Sequence, residues 1–209
     1  MCEDRVDEAF QHLSEAIALF ADLGCIGLSC GARLNLGLLY ESDGQFEEAQ
    51  AAYEEDLALA RSTEARRAEA AALTHLGALL LRRGDVSPAR PLLDAAVRIA
   101  GSTESAPLQG EAGTVFAELL ALEGATEEAD LVISEAIEKM RGVAPHDLGV
   151  AVARRGRIEI WGGHLARAAL TLTEVEALAV ECRAGGRSPL GMEIARLRDA
   201  LRSALDVGE

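Results

Sequence analysis

Leu36-Gly37-x-x-Tyr40-x-x-x-Gly44-x-x-x-x-Ala49-x-x-x-Tyr53 is the stretch from which the fold can be read. A glycine at 44 can take a positive φ and end a helix without a Cβ penalty. Gly37 before the turn and Ala49 after it are small enough for two helix backbones to approach closely. Tyr40 and Tyr53 are large enough to fill the space around that approach. The stretch predicts two helices folded back on each other, with Asp43-Gly44 as their turn.

The same outline recurs along the chain. Ala9, Ala49, Ala89, Ala129 and Ala168 are spaced by 40, 40, 40 and 39 residues, and Leu13, Tyr53, Leu93, Ile133 and Leu172 each follow four residues later. Gly44, Gly84, Gly124 and Gly163 precede the last four alanines by five residues, and Gly37, Gly77, Ala117 and Gly156 precede those glycines by seven. A helix pair of this size cannot bury its own apolar face, so consecutive pairs must stack. The sequence thus predicts an all-α protein, a right-handed α-solenoid of antiparallel helix pairs.

The repeat register divides a single domain, 1–209, into segments. A half repeat at about 4–23 supplies a second helix without its first, as in a chain cut from a longer array. Pairs follow at about 25–62, 64–100, 107–141 and 146–183. Ser87-Pro88 is the expected N-cap and first helical residue of one second helix, with Pro91 in its first turn, and Thr126 is the expected N-cap of another. In the fourth pair Glu159 stands where Tyr40, Leu80 and Leu120 stand in the others. Ser188-Pro189 opens a final amphipathic helix, 188–206, with the apolar stripe Leu190, Ile194, Leu197, Leu201 and Leu205. Arg196, Arg198, Asp199 and Arg202 are expected to face water, and the helix reads as a cap on the stack.

Composition agrees with a helical core and narrows the partners. Apolar residues make up 49% of the 209 residues and aromatics only 3%, so Leu, Ala, Val and Ile must build the interior. The net charge is −15, and residues 1–70 carry fifteen acidic against five basic side chains. An acidic surface repels phosphate backbones and anionic lipid, which argues against nucleic acid and membrane and favours a protein or peptide with a basic face. The N-terminus lacks the basic and apolar regions of a signal peptide, and no apolar run is long enough to span a bilayer; a cytoplasmic location is expected. Cys2, Cys25, Cys30 and Cys182 show no C-x-x-C or Cys/His ligand spacing. Buried reduced thiols and no metal or other cofactor are expected.

The quoted residues resemble the tetratricopeptide repeat. Leu36, Gly37, Tyr40, Gly44, Ala49 and Tyr53 carry the best copy, Leu76, Gly77, Leu80, Gly84, Ala89, Leu93 and Ala96 the next. Phe116, Ala117, Leu120, Gly124, Ala129, Ile133 and Ala136 give a weaker copy, and Gly156, Gly163, Ala168 and Leu172 the poorest. The period of 40 exceeds the usual 34. Such lengthened repeats are similar to those of bacterial multidomain regulators, signalling ATPases or kinases, and kinesin light chains. The resemblance implies a concave face lined by the first helix of each pair. By register its partner-binding residues are Leu34, Asn35, Leu38, Thr74, His75, Leu81, Thr114, Glu118, Arg154, Arg157 and Trp161, with Ala78 and Val115 among them. Chaperone-tail clamps of the family need basic and polar residues there. Asn35 fits, but Ala71, His75, Glu111 and Val115 do not.

Two of these positions have competing readings. Trp161, the single tryptophan, is expected to pack beneath the C-terminal helix, with a groove anchor as the alternative. Arg154, Arg155 and Arg157 are expected on a solvated helix face paired with glutamates, the alternative being a seat for an acidic ligand group. No Ser, Cys or Asp recurs with a histidine as a catalytic set, so the chain reads as a non-enzyme, with His75 as the remote catalytic candidate. The expected function is an interaction module that binds a peptide or protein in its concave groove, the scaffold or sensor part of a larger bacterial regulator. The rival is a homodimer formed through the unpaired helix 4–22.

Overall fold

The computed structural model describes residues 3–186 and 188–206, with side chains from residue 6 onward. Cys2 lies outside them. Ten helices run through the described residues, and no strand occurs among them: α1 (Glu3–Asp22), α2 (Ile26–Ser42), α3 (Phe46–Ser62), α4 (Arg66–Arg83), α5 (Val86–Gly101), α6 (Ala106–Leu122), α7 (Thr126–Met140), α8 (Pro145–Trp161), α9 (Leu165–Glu181) and α10 (Pro189–Asp206). The chain forms two compact units, Met1–Thr103 with α1 to α5 and Glu104–Glu209 with α6 to α10.

The turns share one backbone device. Gly44, Gly84, Gly124 and Gly163 all have φ between 78° and 88°. The next residue's N–H then reaches back over the turn: Gln45 to the Tyr40 carbonyl, Asp85 to Leu80, Ala125 to Leu120 and His164 to Glu159. This closure satisfies a carbonyl in the last turn of the first helix and reverses the chain within three residues. It also fixes where the second helix begins. Ser87-Pro88 and Thr126 therefore do not cap: α5 already starts at Val86 and α7 at Thr126, and neither helix has a side-chain cap. Pro91 consequently lies in the second turn of α5. Ser188 does cap, accepting the Gly191 N–H at 3.1 Å.

In the first unit, α2 packs on α3 and α4 on α5, with α3 against α4 and α1 against α2. The core is formed by Ala49, Tyr53, Leu73, Leu79, Ala89 and Leu93, all fully buried. A Cβ on Gly37 would enter the Tyr53 ring, and one on Gly77 would enter the Leu93 side chain. Glycine here permits contact rather than flexibility. In the second unit, Ile133, Ile137, Met140, Val152, Ile158, Val175, Leu190 and Leu197 belong to one apolar cluster. There α6 packs on α7 and α8 on α9, while α10 lies against both α8 and α9. Leu205, expected in the apolar stripe of α10, is exposed because the buried stripe ends at Leu201.

Candidate functional site

The first helices carry the residues that the repeat register assigns to an inner face, and the two units treat that face differently. On α2, Asn35 is exposed and Leu34 and Leu38 are half-buried. Gly27, Leu28 and Gly31 extend the same open side by one and two turns. Leu28 is 57% exposed, and a Cβ on either glycine would meet nothing within 4 Å. On α4 the register is less open. Thr74 is buried with its hydroxyl donating to the Ala70 carbonyl at 2.8 Å, and Leu81 and Ala78 are buried too. His75 is half-buried and stacks on Tyr53, with ring centroids 5.5 Å apart.

Behind His75 lies a polar cluster that the register did not indicate. Asp56 of α3 is 1% exposed, and the buried Cys30 of α2 bonds to it through its thiol. Burial pushes the Asp56 carboxyl up to about 6, against smaller opposing effects of the Cys30 hydrogen bond, Arg33 and His75. Burial and the neighbouring Asp56 push the Cys30 thiol up to about 12. A thiol so far from ionising is a poor nucleophile. The cluster therefore does not supply the partner His75 would need for covalent catalysis. Cys25 and Cys182 are half-buried rather than buried as expected, since each sits at a helix end. Among the described residues no group of His, Cys, Asp and Glu is placed to hold a metal ion, and no helix is long and apolar enough to cross a membrane.

In the second unit, Thr114 is buried and bonded to the Gly110 carbonyl at 2.7 Å, and Val115 is buried beside it. Glu118 of α6, Arg154 and Arg157 of α8, and Glu193 of α10 form a ring of buried charges. Arg157 bonds to Glu118 through one guanidinium nitrogen and to Glu193 through the other, the latter at 2.9 Å. Arg154 approaches Glu118 at 3.3 Å and Glu193 at 3.7 Å. Arg196 adds a third cation on Glu193 at 2.6 Å.

This corrects the expectation of a solvated arginine face for Arg154 and Arg157. Arg155 is half-buried and pairs with the exposed Glu174 at 2.6 Å. Arg196 likewise does not simply face water. Desolvated charges of opposite sign in fork geometry hold a fixed arrangement, because breaking one pair strands the others. Trp161 is 41% exposed rather than packed beneath α10, and the Arg157 guanidinium lies 5.9 Å from its ring centroid. Glu159, the substitution in the consensus column, is buried and accepts the Thr171 hydroxyl at 2.7 Å, with Arg167 at 3.3 Å.

The register could not reveal Glu193 or Asp56, since neither lies on a first helix. A signal was nonetheless present. Glu193 interrupts the Leu190–Ile194–Leu197 stripe, and Asp56 stands beside Leu57 on the face that carries Tyr53 and Ala60. A carboxylate inside an apolar stripe needs a partner.

A family model for the tetratricopeptide repeat matches residues 28–102. No curated protein matches the chain in sequence. Among solved structures, the fold is similar to the nearly identical TPR-like repeats of a protein assigned as a kinesin light chain from Podosopora anserina. That match has a TM-score of 0.57 at 19% identity over 88% of this chain and 91% of the other. It is also similar to BtubC (BKLC) from P. vanneervenii, with a TM-score of 0.56 at 14% identity over 77% of this chain and 66% of that one. At these identities the likeness concerns the fold. Together with the turn glycines and close-packed helix pairs, the match marks residues 28–102 as tetratricopeptide repeat, and the likeness shows an all-α fold of the tetratricopeptide-repeat type.

Proposed function

We propose that this chain is a protein-interaction module that receives a helical or extended segment of a partner along the open face of α2. Tetratricopeptide repeats generally serve protein–protein interaction and are typically non-catalytic scaffolds. The observation that supports a site here is the open side of α2, where Gly27, Leu28, Gly31, Leu34, Asn35 and Leu38 lie on one face. Glycine inside a helix costs about 1 kcal/mol relative to alanine. Gly37 has an internal reason in Tyr53, whereas a Cβ on Gly27 or Gly31 would meet nothing within 4 Å among the described residues. A closely approaching partner backbone would use that space, Leu28, Leu34 and Leu38 would be its apolar anchors, and Asn35 a polar fix. His75 on α4 would border the site. Thr74, Leu81 and Thr114 would support first-helix walls rather than touch the ligand. The acidity of residues 1–70 favours a segment with basic residues.

Affinity capture from the source lysate, comparing the native chain with an Asn35→Arg/Leu38→Glu variant of unchanged helicity, tests this reading. Partners lost with the variant support the α2 face, and an unchanged partner set overturns it. We also read the chain as the scaffold or sensor part of a larger bacterial regulator, supported by its 40-residue period. A transcript encoding only these 209 residues would overturn that part.

Self-association is the second reading, favoured by the state of α1. None of its described side chains is buried, and Leu19 is 55% exposed. A second copy could cover this stripe. A monomeric mass in solution both with and without residues 1–23 would sink the idea.

A further inference from the structure

The helix pairs fill their glycine notches in two ways. In the first pair of the first unit, Gly37 of α2 receives Tyr53 of α3; in the next, Gly77 of α4 receives Leu93 of α5. In the second unit, Gly110 of α6 receives Met140 of α7. Each time the notch on a first helix is filled by its own second helix. The α8–α9 pair breaks the pattern. By the 16-residue spacing of Gly37 to Tyr53 and Gly77 to Leu93, α9 should bring Leu172 to Gly156. Instead Leu197 of α10 would lie 2.7 Å from a Cβ at Gly156, nearer than Thr171 of α9 at 3.2 Å. Gly149, two turns earlier, is met by Leu190 of α10 at 2.8 Å. Leu172 remains only half-buried. Thus α10 occupies notches that the other pairs fill from within.

Between the two leucines, α10 presents Glu193 to Arg157 and Arg154. An apolar seam alone would accept any amphipathic helix. The buried guanidiniums of Arg154 and Arg157 face Glu118 of α6 and Glu193 of α10, so a covering helix without a carboxylate at that place would strand buried charge. The covering helix must therefore carry Leu, then Glu three residues later, then Leu four residues after that, as Leu190, Glu193 and Leu197 do. The chain joining α9 to α10 is short and includes the exposed Gly185 and Gly186. Its backbone packs on Gly191 at the start of α10, and it keeps α10 at a high effective concentration over the α8 face.

We propose that the α8 face bearing Gly149, Arg154, Gly156 and Arg157 is a recognition site for an acidic amphipathic helix of a partner protein, of the pattern Leu-x-x-Glu-x-x-x-Leu, and that α10 occupies this site in cis. A partner helix of that pattern displaces α10, so its binding is coupled to release of the C-terminal segment. This proposal is independent of the α2 face, and its test uses a defined peptide rather than a captured partner.

The test inserts a protease cleavage sequence between Gly185 and Gly186 of the full chain and cuts it after folding. A labelled peptide with the sequence of residues 188–206 is then added in excess, and its incorporation is followed by fluorescence anisotropy. The peptide should replace α10 in the cut chain. A Glu193→Lys version should bind roughly thirtyfold more weakly or worse, because it leaves buried guanidiniums without their carboxylate. Equal entry of both peptides, or no entry of either while the cut chain keeps its cooperative melt, overturns the proposal.

If cutting itself abolishes the cooperative melt, the uncut Leu190→Ala chain decides. The native peptide should raise its melting temperature and the Glu193→Lys peptide should not. The same response to both, or to neither, overturns the site. A doubling of mass by this variant at rising concentration also overturns it, assigning the seam to a second copy.

Discussion

The two units are built from the same helix-pair motif, yet different residues complete them. In the first unit the notches are filled internally by Tyr53 and Leu93, and one face of α2 is left open around Gly27, Gly31 and Asn35. One of its buried polar groups, Asp56, is set among Cys30, Arg33 and His75, with burial the largest effect on its carboxyl. In the second unit, α10 fills two notches, and buried charge is arranged as opposed pairs across α6, α8 and α10. The motif makes a pair of helices. The residues it leaves free decide what covers that pair: in the second unit they include the charged Glu118, Arg154 and Arg157, whereas the open face of α2 carries glycine, leucine and asparagine.

Removing Arg157 is expected to have the largest effect on this contrast. It bonds to both Glu118 and Glu193, so Arg157→Ala leaves two buried carboxylates with Arg154 between them and Arg196 on Glu193. Removing one partner of a buried ion pair typically costs about 3–5 kcal/mol. Denaturant unfolding followed by far-UV circular dichroism should show the loss in the second unit, with the first unit's transition unmoved. If Arg157→Ala costs no more than an exposed substitution such as Arg202→Ala, the ring does not hold α10.

Asp56 offers the converse test in the first unit. Its carboxyl is raised from 3.8 to about 6 on folding, chiefly by burial. The facing groups are Cys30 and Arg33 from α2 and His75 from α4. A raised carboxyl pKa means that the ionised form is the one the fold disfavours. The stability associated with the protonated form is fully present below about 4 and is lost as pH rises through about 6. The shift corresponds to at most about 3 kcal/mol. Asp56→Asn should therefore stabilise the first unit at pH 7.5 and lose this advantage by pH 4. Parallel stability curves for the native chain and the variant over that range would show that Asp56 is not held against ionisation.

Much of this contrast is absent from the repeat pattern, for reasons visible in single residues. The turns were legible, because Gly44, Gly84, Gly124 and Gly163 combine a fixed spacing with a backbone conformation that favours glycine. Gly37 and Gly77 were legible as close approaches because a large residue follows each at the same interval. Helix starts were less so. Ser87 and Thr126 are good caps by type, but the turn closure from Asp85 to Leu80 and Ala125 to Leu120 begins the helix before either can act. The inner-face assignment failed to separate the exposed Asn35 from the buried Arg154, although both occupy the same repeat position. Register places a residue on a face; it does not say whether another helix lies over that face. For Arg154 the answer depended on Glu193, 39 residues away and outside the register.

The turns provide the smallest test, at the level of one dihedral. Glu64 closes α3 as Gly44 closes α2 and Gly84 closes α4, yet it has φ 55° where those glycines have 80° and 83°. Its closure is also the same: the Ala65 N–H reaches the Ala60 carbonyl at 2.8 Å. A side chain in the left-handed region costs about 1–2 kcal/mol. Glycine would relieve that strain but adds freedom to the unfolded chain, which offsets part of the gain by about 0.4–1 kcal/mol. Glu64→Gly should thus stabilise the first unit by about 0.5–1 kcal/mol, and Glu64→Asn by a similar amount, since asparagine tolerates this region with less unfolded-state freedom. Thermal melts of both variants at neutral pH would check this. A loss of stability in both would mean that Glu64 contributes an interaction that outweighs its backbone strain.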